Sequence, residues 1–283
     1  MSPTAPRAPF VDSSRPREIE PLSNRLLIHR VSNALLPLAI RAGIHPNLVS
    51  LTGLACGLLA ALAYAEWRYP LACLAGLVLM LAWHIADGLD GSLARATGKT
   101  SDFGRLVDGI ADYATFVAVY LALALSLENW PLALAVAVLS GALHALQSMF
   151  YEAERATYIR RLSGRFAATP RSAAGGPIER LYNRGEAWLG NRTRPFDDHL
   201  RRAPPAHHQA LLAAWASAAA PRLKALTLLS ANARTVAIFL ACIAGSPWLF
   251  WAYEIIGLTL LALFLGRRLR QVEQTLLQDQ PRC

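Results

Sequence analysis

The chain has 283 residues, 54% of them hydrophobic, and a mean hydropathy of +0.30, which is too apolar for an ordinary soluble domain. Lys and Arg outnumber Asp and Glu, 28 to 19, for a formal charge of +9; no basic soluble domain carries that charge, which argues against nucleic acid as a partner. The four cysteines, Cys56, Cys73, Cys242 and Cys283, are scattered, which excludes a disulfide framework and a Cys/His metal cluster.

Residues 1–21 are rich in Pro, Ser and Arg without periodicity and are expected to be disordered; they hold no apolar run of signal-peptide type. Residues 22–46 follow as an amphipathic helix on the cytoplasmic membrane surface. Leu27, Val31, Leu35 and Leu38 share roughly one face, with a break expected near Pro37. His45-Pro46-Asn47 opens the first of six apolar stretches long enough to cross a bilayer. These fall at about 47–66, 69–89, 104–126, 131–151, 225–245 and 248–266. The expected fold is therefore all-α and polytopic. Helices 1–4 occupy 47–151, a long segment occupies 152–224, helices 5–6 occupy 225–266, and a tail occupies 267–283.

Arginines and lysines set the orientation. They crowd residues 1–46, the 95–105 loop (Arg95, Lys99, Arg105), the 152–224 segment and the tail, whereas the loops near Asn129 and Ser246 have none and the first return loop has only Arg68. By the positive-inside rule both termini, the 95–105 loop and the long segment are cytoplasmic. The long segment starts as a continuation of the fourth helix (YEAERATYIRR), with short helices expected near 178–189 and 206–218. Trp188, Trp215 and the alanine-rich run 210–220 are expected at the membrane surface, and the arginines as a solvated or lipid-facing basic surface.

The chemistry concentrates in DGLDGSLARATGKTSDFGRLVDGIAD, Asp87 to Asp112. Asp87 and Asp90 are three apart and share a helix face. Gly104, Asp108 and Asp112 are spaced by four and make a stripe on the next helix. The polar loop 96–103 is short enough to set the two carboxylate pairs side by side. Asp102 is expected to cap the second helix. Carboxylates at membrane depth cost on the order of 3 kcal/mol each. Four of them call for a compensating charge, and an all-oxygen set suits Mg²⁺ or Mn²⁺.

The positions Asp87, Asp90, Gly91, Ala94, Arg95, Gly104, Asp108 and Asp112 match, in identity and spacing, the D-x-x-D-G-x-x-A-R-(x8)-G-x-x-x-D-x-x-x-D signature of the CDP-alcohol phosphotransferase family, which the chain thus resembles. The stretch His45–Ser50 is similar to that family's entry into its first span, with His where Thr is common. The resemblance covers 22–151 well, 225–266 as architecture, and not 152–224. It implies a phosphatidyl or phospho-alcohol transfer from a CDP-alcohol to an alcohol hydroxyl, with release of CMP. It implies two bound Mg²⁺ or Mn²⁺ ions on Asp87, Asp90, Asp108 and Asp112, with Asp112 mainly the general base. Arg95 would contact the donor's phosphates or nucleotide. Gly91, Ala94 and Gly104 would leave room for cytidine, and Asn47 would contact the nucleotide or cap the first helix. A homodimer is implied by analogy.

The wording FGRLVDGIADY, with Gly109 where choline and ethanolamine phosphotransferases tend to carry His, leans toward CDP-diacylglycerol as donor. The acceptor is a polar or lipid alcohol. The alternatives are a CDP-linked headgroup donor acting on a lipid alcohol and, in another class, an intramembrane-aspartate ion transporter. Acceptor-pocket candidates are Arg234, an arginine inside an apolar stretch, and the one-face set His144, Gln147, Ser148, Glu152 and Arg155. His84, one turn before Asp87, orients a ligand or serves packing. Glu254 is expected to be structural near the outer surface. The predicted location is a membrane, with the site on the cytoplasmic side, as in a bacterial inner membrane.

Overall fold

The structure, a computed structural model, describes residues 16–167 and 193–278, with side chains except at 102–103, 105–108, 110 and 205–206. Among the described residues it is helical with no strand. The helices are α1 (His29–Arg41), α2 (Pro46–Ala65), α3 (Pro70–Thr97), α4 (Asp102–Leu125), α5 (Trp130–Leu162), α6 (Pro195–Arg202), α7 (Pro205–Leu226), α8 (Ala231–Ile243), α9 (Pro247–Ala252) and α10 (Thr259–Gln278). Two compact units divide the chain: Pro21–Tyr151 with Ala225–Arg267, and Met1–Glu20 with Glu152–Lys224 and Arg268–Cys283.

The first unit is the bundle that carries the carboxylate array. Proline at the first turn of α2, α3 and α9 starts each helix where a missing N–H costs nothing. Gly98, at φ +67°, ends α3 in the left-handed conformation, and the Lys99 N–H closes onto the Ala94 carbonyl at 2.9 Å. α2 packs against both α3 and α4. Its glycines make this possible: a Cβ on Gly57 would collide with Thr115 of α4. A Cβ on Gly76 of α3 would sit 2.8 Å from the Tyr64 ring. Tyr64, Met80, Val119, Leu123 and Ile238 form the solvent-free core around these contacts.

Four helical stretches among the described residues are long and apolar enough to cross a membrane: α2, α3, α5 and the run Pro247–Gln278. A fifth appears if His207–Leu229 and Ala231–Ile243, broken at Ser230, make one span. Six is thus more than the described residues show. The 104–126 stretch does fold as α4, but its first turns hold the polar array, and the described apolar part is Ala111–Leu125.

Residues 24–41 are helical, as a π turn (Asn24–Ile28) followed by α1. The break expected at Pro37 does not occur: α1 runs through it. Pro37 removes one hydrogen bond on an exposed face, where Asn33 is exposed as well. α1 packs on α3, with the Ser32 hydroxyl donating to the Ile85 carbonyl at 2.9 Å, and leaves Leu35 and Leu38 exposed, as is Leu27 in the π turn before it.

The second unit is built around charge. Arg161, fully buried, donates from Nε to Asp197 Oδ1 and from Nη1 to Glu273 Oε1, both at 2.7 Å. Arg194 bonds Glu154 at 2.7 Å and Glu273 at 3.0 Å; Arg160 reaches Asp197 at 3.2 Å and Arg270 reaches Glu154 at 2.7 Å. The Arg161 guanidinium also stacks 4.6 Å from the Trp215 ring and 5.0 Å from that of Phe196. These observations correct two expectations. Trp215 is 3% exposed rather than spread on a surface. Arg160, Arg161 and Arg194 are buried in ion pairs, because acids distant in sequence supply partners that local pattern does not reveal. The expected 206–218 helix lies within α7, while the 178–189 helix and Trp188 lie outside the described residues.

Candidate active site

The end of α3 presents Asp87, Asp90, Gly91, Ala94 and Arg95 in its last three turns. Asp90 is 4% exposed, and the Ser50 hydroxyl of α2 donates to its Oδ2. Ser50 stands one turn into α2, so the entry of that helix is tied to the first carboxylate pair. At the same entry the His45 Nδ1 accepts from the Asn47 N–H at 3.3 Å, capping α2.

α4 begins nearby. Ser101 caps it, its hydroxyl accepting from the Gly104 N–H at 2.9 Å. The cap expected at Asp102 is therefore one residue earlier, and Asp102 is the first helical residue. Gly104 faces Asn47: a Cβ there would lie 3.4 Å from Asn47 Oδ1 and 3.1 Å from Ser101 Oγ. The structure thus brings together Asn47, Ser50, Asp90 and Gly104 from three helix ends. A Cβ on Gly91 would meet the Arg95 Nη1 at 3.3 Å, while Gly109 has open space on its Cβ side. Arg95 is exposed and donates to the Ser92 hydroxyl at 3.3 Å.

Asp87 and Asp112 are both partly buried. Asp108 keeps its register on α4, four residues before Asp112, but its side chain lies outside the described ones. Among the described residues no group of three or more His, Cys, Asp or Glu is gathered to hold a metal ion. The donor chemistry of the array, oxygen throughout, still fits Mg²⁺ or Mn²⁺ better than any softer ion.

Beneath the array lies a second polar layer that sequence reasoning only partly foresees. His84 is 5% exposed, and its Nε2 is 3.0 Å from the Thr235 hydroxyl of α8. Trp83, Phe116 and His144 follow in edge contacts, with ring centroids 5.5 Å and 4.7 Å apart. Arg234 is fully buried. Its guanidinium donates to Glu254 Oε1 and Gln147 Oε1, both at 2.7 Å, to Ser148 at 3.4 Å and to the Leu229 carbonyl. Glu254 also accepts from the Tyr120 hydroxyl, whose oxygen is 3.1 Å from His144 Nδ1.

Glu254 is wholly buried, with Arg234 as its counter-charge, which fits the structural role expected of it. Arg234 is committed to protein partners rather than left open for an acceptor. Arg155 belongs to the other unit, where it pairs with Glu152 at 2.9 Å. Sequence reasoning gives no role to Ser50, Thr235 or Tyr120; the only available signal was that Ser50 ends the HPNLVS stretch.

Residues 43–171 match the family model described as CDP-alcohol phosphatidyltransferase. Among similar proteins, an archaetidylinositol phosphate synthase of Pyrococcus horikoshii is 34% identical over 117 residues, 41% of this chain and 55% of that one. A phosphatidylinositol phosphate synthase of Mycolicibacterium smegmatis is 32% identical over 103 residues, covering 36% and 45%. A CDP-diacylglycerol–serine O-phosphatidyltransferase of Helicobacter pylori is 35% identical over 71 residues, covering 25% and 28%. The chain thus spans about half the length of the first two relatives, and no solved structure matches it. With the eight-position array lying inside the matched region, residues 43–171 of this chain belong to the CDP-alcohol phosphatidyltransferase family.

Proposed function

We propose that the protein is a membrane-embedded transferase that moves a phosphatidyl group from a CDP-alcohol, CDP-diacylglycerol above all, to an alcohol hydroxyl, releasing CMP. The observation that carries this reading is the intact Asp87–Asp112 array, set where the entry of α2 meets the end of α3 and the start of α4. The three named relatives, each a phosphatidyl or archaetidyl transferase or synthase, support the same class.

The roles proposed are those the family resemblance implies, and each suits the chemistry of its residue. Asp112, partly buried at the end of the α4 stripe, takes the proton from the acceptor hydroxyl. The freed oxygen attacks the donor's second phosphorus, and the bond from that phosphorus to CMP breaks. Arg95, exposed beside Gly91, offers a planar fork to the donor's phosphates. Asn47 and the bare backbone of Gly104 receive the nucleotide. Asp87, Asp90, Asp108 and Asp112 would hold two divalent ions, Mg²⁺ or Mn²⁺, whose contribution is to offset the charge that builds on the phosphates. His144 stays the acceptor-side candidate of the bundle. The orientation proposed is both termini and the array on the cytoplasmic side, α1 resting its exposed leucines on that surface, and the chain as a homodimer.

The test is CMP release from purified protein in detergent with CDP-diacylglycerol, a divalent ion and a panel of alcohols, with Asp112→Asn in parallel. Acceptor-dependent CMP should fall by at least 100-fold in the variant, as expected for loss of a general base. CMP formed only from a CDP-headgroup donor and a lipid alcohol would move the assignment to that branch of the family. No CMP from either donor would overturn the transferase reading.

A further inference from the structure

Two of the four cysteines, scattered in sequence, meet in the fold of the first unit. Cys73 lies in the first turn of α3 and Cys242 in the last turn of α8. Further along α3, His84 meets Thr235 further back along α8 at 3.0 Å, so the two helices run in opposite directions. The Cys242 thiol donates to the Cys73 sulfur, and the Cys73 thiol donates to the Trp67 carbonyl at 3.0 Å. Both thiols are free, and neither residue is more than 2% exposed. A thiol is a weak donor and a sulfur a weak acceptor, so the contact as it stands contributes little. An opening reaches the pair. A cleft of about 200 Å³ is lined by Cys242, Ile243 and Gly245 from the end of α8, and by Trp67, Arg68 and Pro70 from the turn into α3. Its wall is fixed: the Trp67 Nε1 donates to the Ser126 hydroxyl at 2.9 Å, and the Arg68 guanidinium stacks 4.8 Å from the Trp67 ring. Arg68 also gives the cleft a cation, which favours a thiolate there.

Chain position says what the pair faces. Cys73 follows the Arg68 turn and Cys242 precedes Ser246, the arginine-poor connections. In the orientation proposed above these lie opposite the cytoplasm, where thiols are not kept reduced. We propose that Cys73 and Cys242 are a disulfide site, oxidised from the outer side by a disulfide-bearing oxidant, and that the bond clamps α3 to α8. The Cys242 thiolate attacks one sulfur of the oxidant; the oxidant's S–S bond breaks, and its leaving sulfur takes the proton that Cys242 gave up. The Cys73 thiolate then attacks the Cys242 sulfur, the mixed disulfide breaks, and the second oxidant sulfur leaves with the Cys73 proton. Two protein thiols are oxidised to one disulfide, and one oxidant disulfide is reduced to two thiols. The protein sulfurs, already in hydrogen-bond contact, close to about 2.05 Å. α3 carries Asp87 and Asp90 toward its far end, and α8 carries Arg234 and Thr235. The clamp thus fixes, at the outer end, the two helices that His84 and Thr235 join nearer the array.

The inference rests on the membrane orientation proposed for the whole chain, so its test separates the two. Membranes holding the full-length protein are denatured in excess N-ethylmaleimide without reductant, and the peptides are read by mass spectrometry. A peptide pair linked through Cys73 and Cys242 is expected, with Cys56 and Cys283 carrying maleimide. In detergent, the linked protein should unfold on the order of 5 °C above the same protein after reduction. Cys242→Ser should abolish the link and the reductant-sensitive shift while leaving CMP release nearly unchanged, and Cys56→Ser should keep both. Maleimide on both Cys73 and Cys242 in the membrane sample would overturn the bond. A second arm adds glutathione disulfide to the reduced, folded protein in detergent, where orientation plays no part. Failure to form the link there, with or without a glutathione adduct on Cys242, would overturn the site itself. A linked pair in membranes, together with a cysteine at position 246 that reacts only from the cytoplasmic face, would strike the orientation and leave the disulfide site standing.

Discussion

At the scale of single residues, the least foreseeable part of the site is Ser50. Its hydroxyl reaches the buried carboxylate of Asp90 across 40 positions of sequence. A carboxylate with one oxygen fixed this way presents the other in a set direction, so the serine acts through Asp90. Ser50→Ala is expected to lower kcat/KM by about tenfold, the order of one hydrogen bond to a charged group. It should raise the divalent-ion concentration needed for half-activity while leaving the thermal midpoint nearly unchanged. A titration of CMP release against Mg²⁺ and Mn²⁺ reads this out, and an unchanged ion dependence would remove Ser50 from the site. Gly57 acts by absence. A Cβ there collides with Thr115, so Gly57→Ala should destabilise the bundle by about 1–3 kcal/mol through overpacking, visible in detergent thermal unfolding and partly relieved by Thr115→Ala. The aspartates were legible because family-defining residues sit at helical spacings within 26 positions. Ser50 and Thr235 were not, because a hydroxyl in an apolar helix is chemically unremarkable until its partner is placed beside it.

At the scale of elements, the helices were legible and their ends less so. Hydropathy placed α2, α4 and the start of α5 within two residues of where they fold. α3 runs eight residues past its expected end, to Thr97, because the array itself is helical and only Gly98 offers a stop. The ion-pair cluster of the second unit was not legible at all. Arg161 finds Asp197 36 residues away and Glu273 112 away, and no local charge pattern encodes such distances. Asp197 also accepts from the Arg194 N–H at 2.8 Å, at the start of α6. Burial alone pushes its carboxyl up, but Arg161, the Arg194 N–H and Arg160 together hold it below the usual carboxylate range. A depressed acid stabilises the fold above its unfolded pKa of about 3.9 and ceases to do so as pH falls through the lower folded value. The unit should therefore lose stability below about pH 4, and Asp197→Asn should flatten that part of the profile. Asp197→Ala leaves Arg160 and Arg161 buried without this partner and should cost about 3–5 kcal/mol at neutral pH. Unfolding monitored by Trp fluorescence from pH 7 to pH 3 would show both, Trp215 lying on the Arg161 guanidinium.

At the scale of the whole molecule, the open question is how many times the chain crosses the membrane, and α4 and α8 decide it. α4 has 24 residues, about 36 Å at 1.5 Å per residue, enough for a hydrocarbon core of about 30 Å. Its first turns carry the array, and its crossing needs those turns to stand at the cytoplasmic boundary, where water and the headgroup region can solvate the carboxylates. α8 has 13 residues, about 20 Å, too short alone. It spans only if the Thr227–Leu229 turn and the end of α7 complete it. Six crossings therefore require Lys99 and Ser163 on one side of the membrane and Asn129 and Ser246 on the other. With the four native cysteines replaced by serine, single cysteines at those positions can be labelled in sealed inverted and right-side-out vesicles by a reagent that does not cross lipid. Lys99→Cys and Ser163→Cys should react from the cytoplasmic face, and Asn129→Cys and Ser246→Cys from the other. Lys99 and Asn129 on the same side would mean that α4 does not cross, and the even alternation of arginine-rich and arginine-poor loops would lose its topological meaning. Ser246 on the cytoplasmic side would leave α8 a re-entrant helix. Arg234 would then be held by Glu254 inside a segment that enters and leaves by one face, and the chain would cross five times, with its tail on the side opposite Lys99.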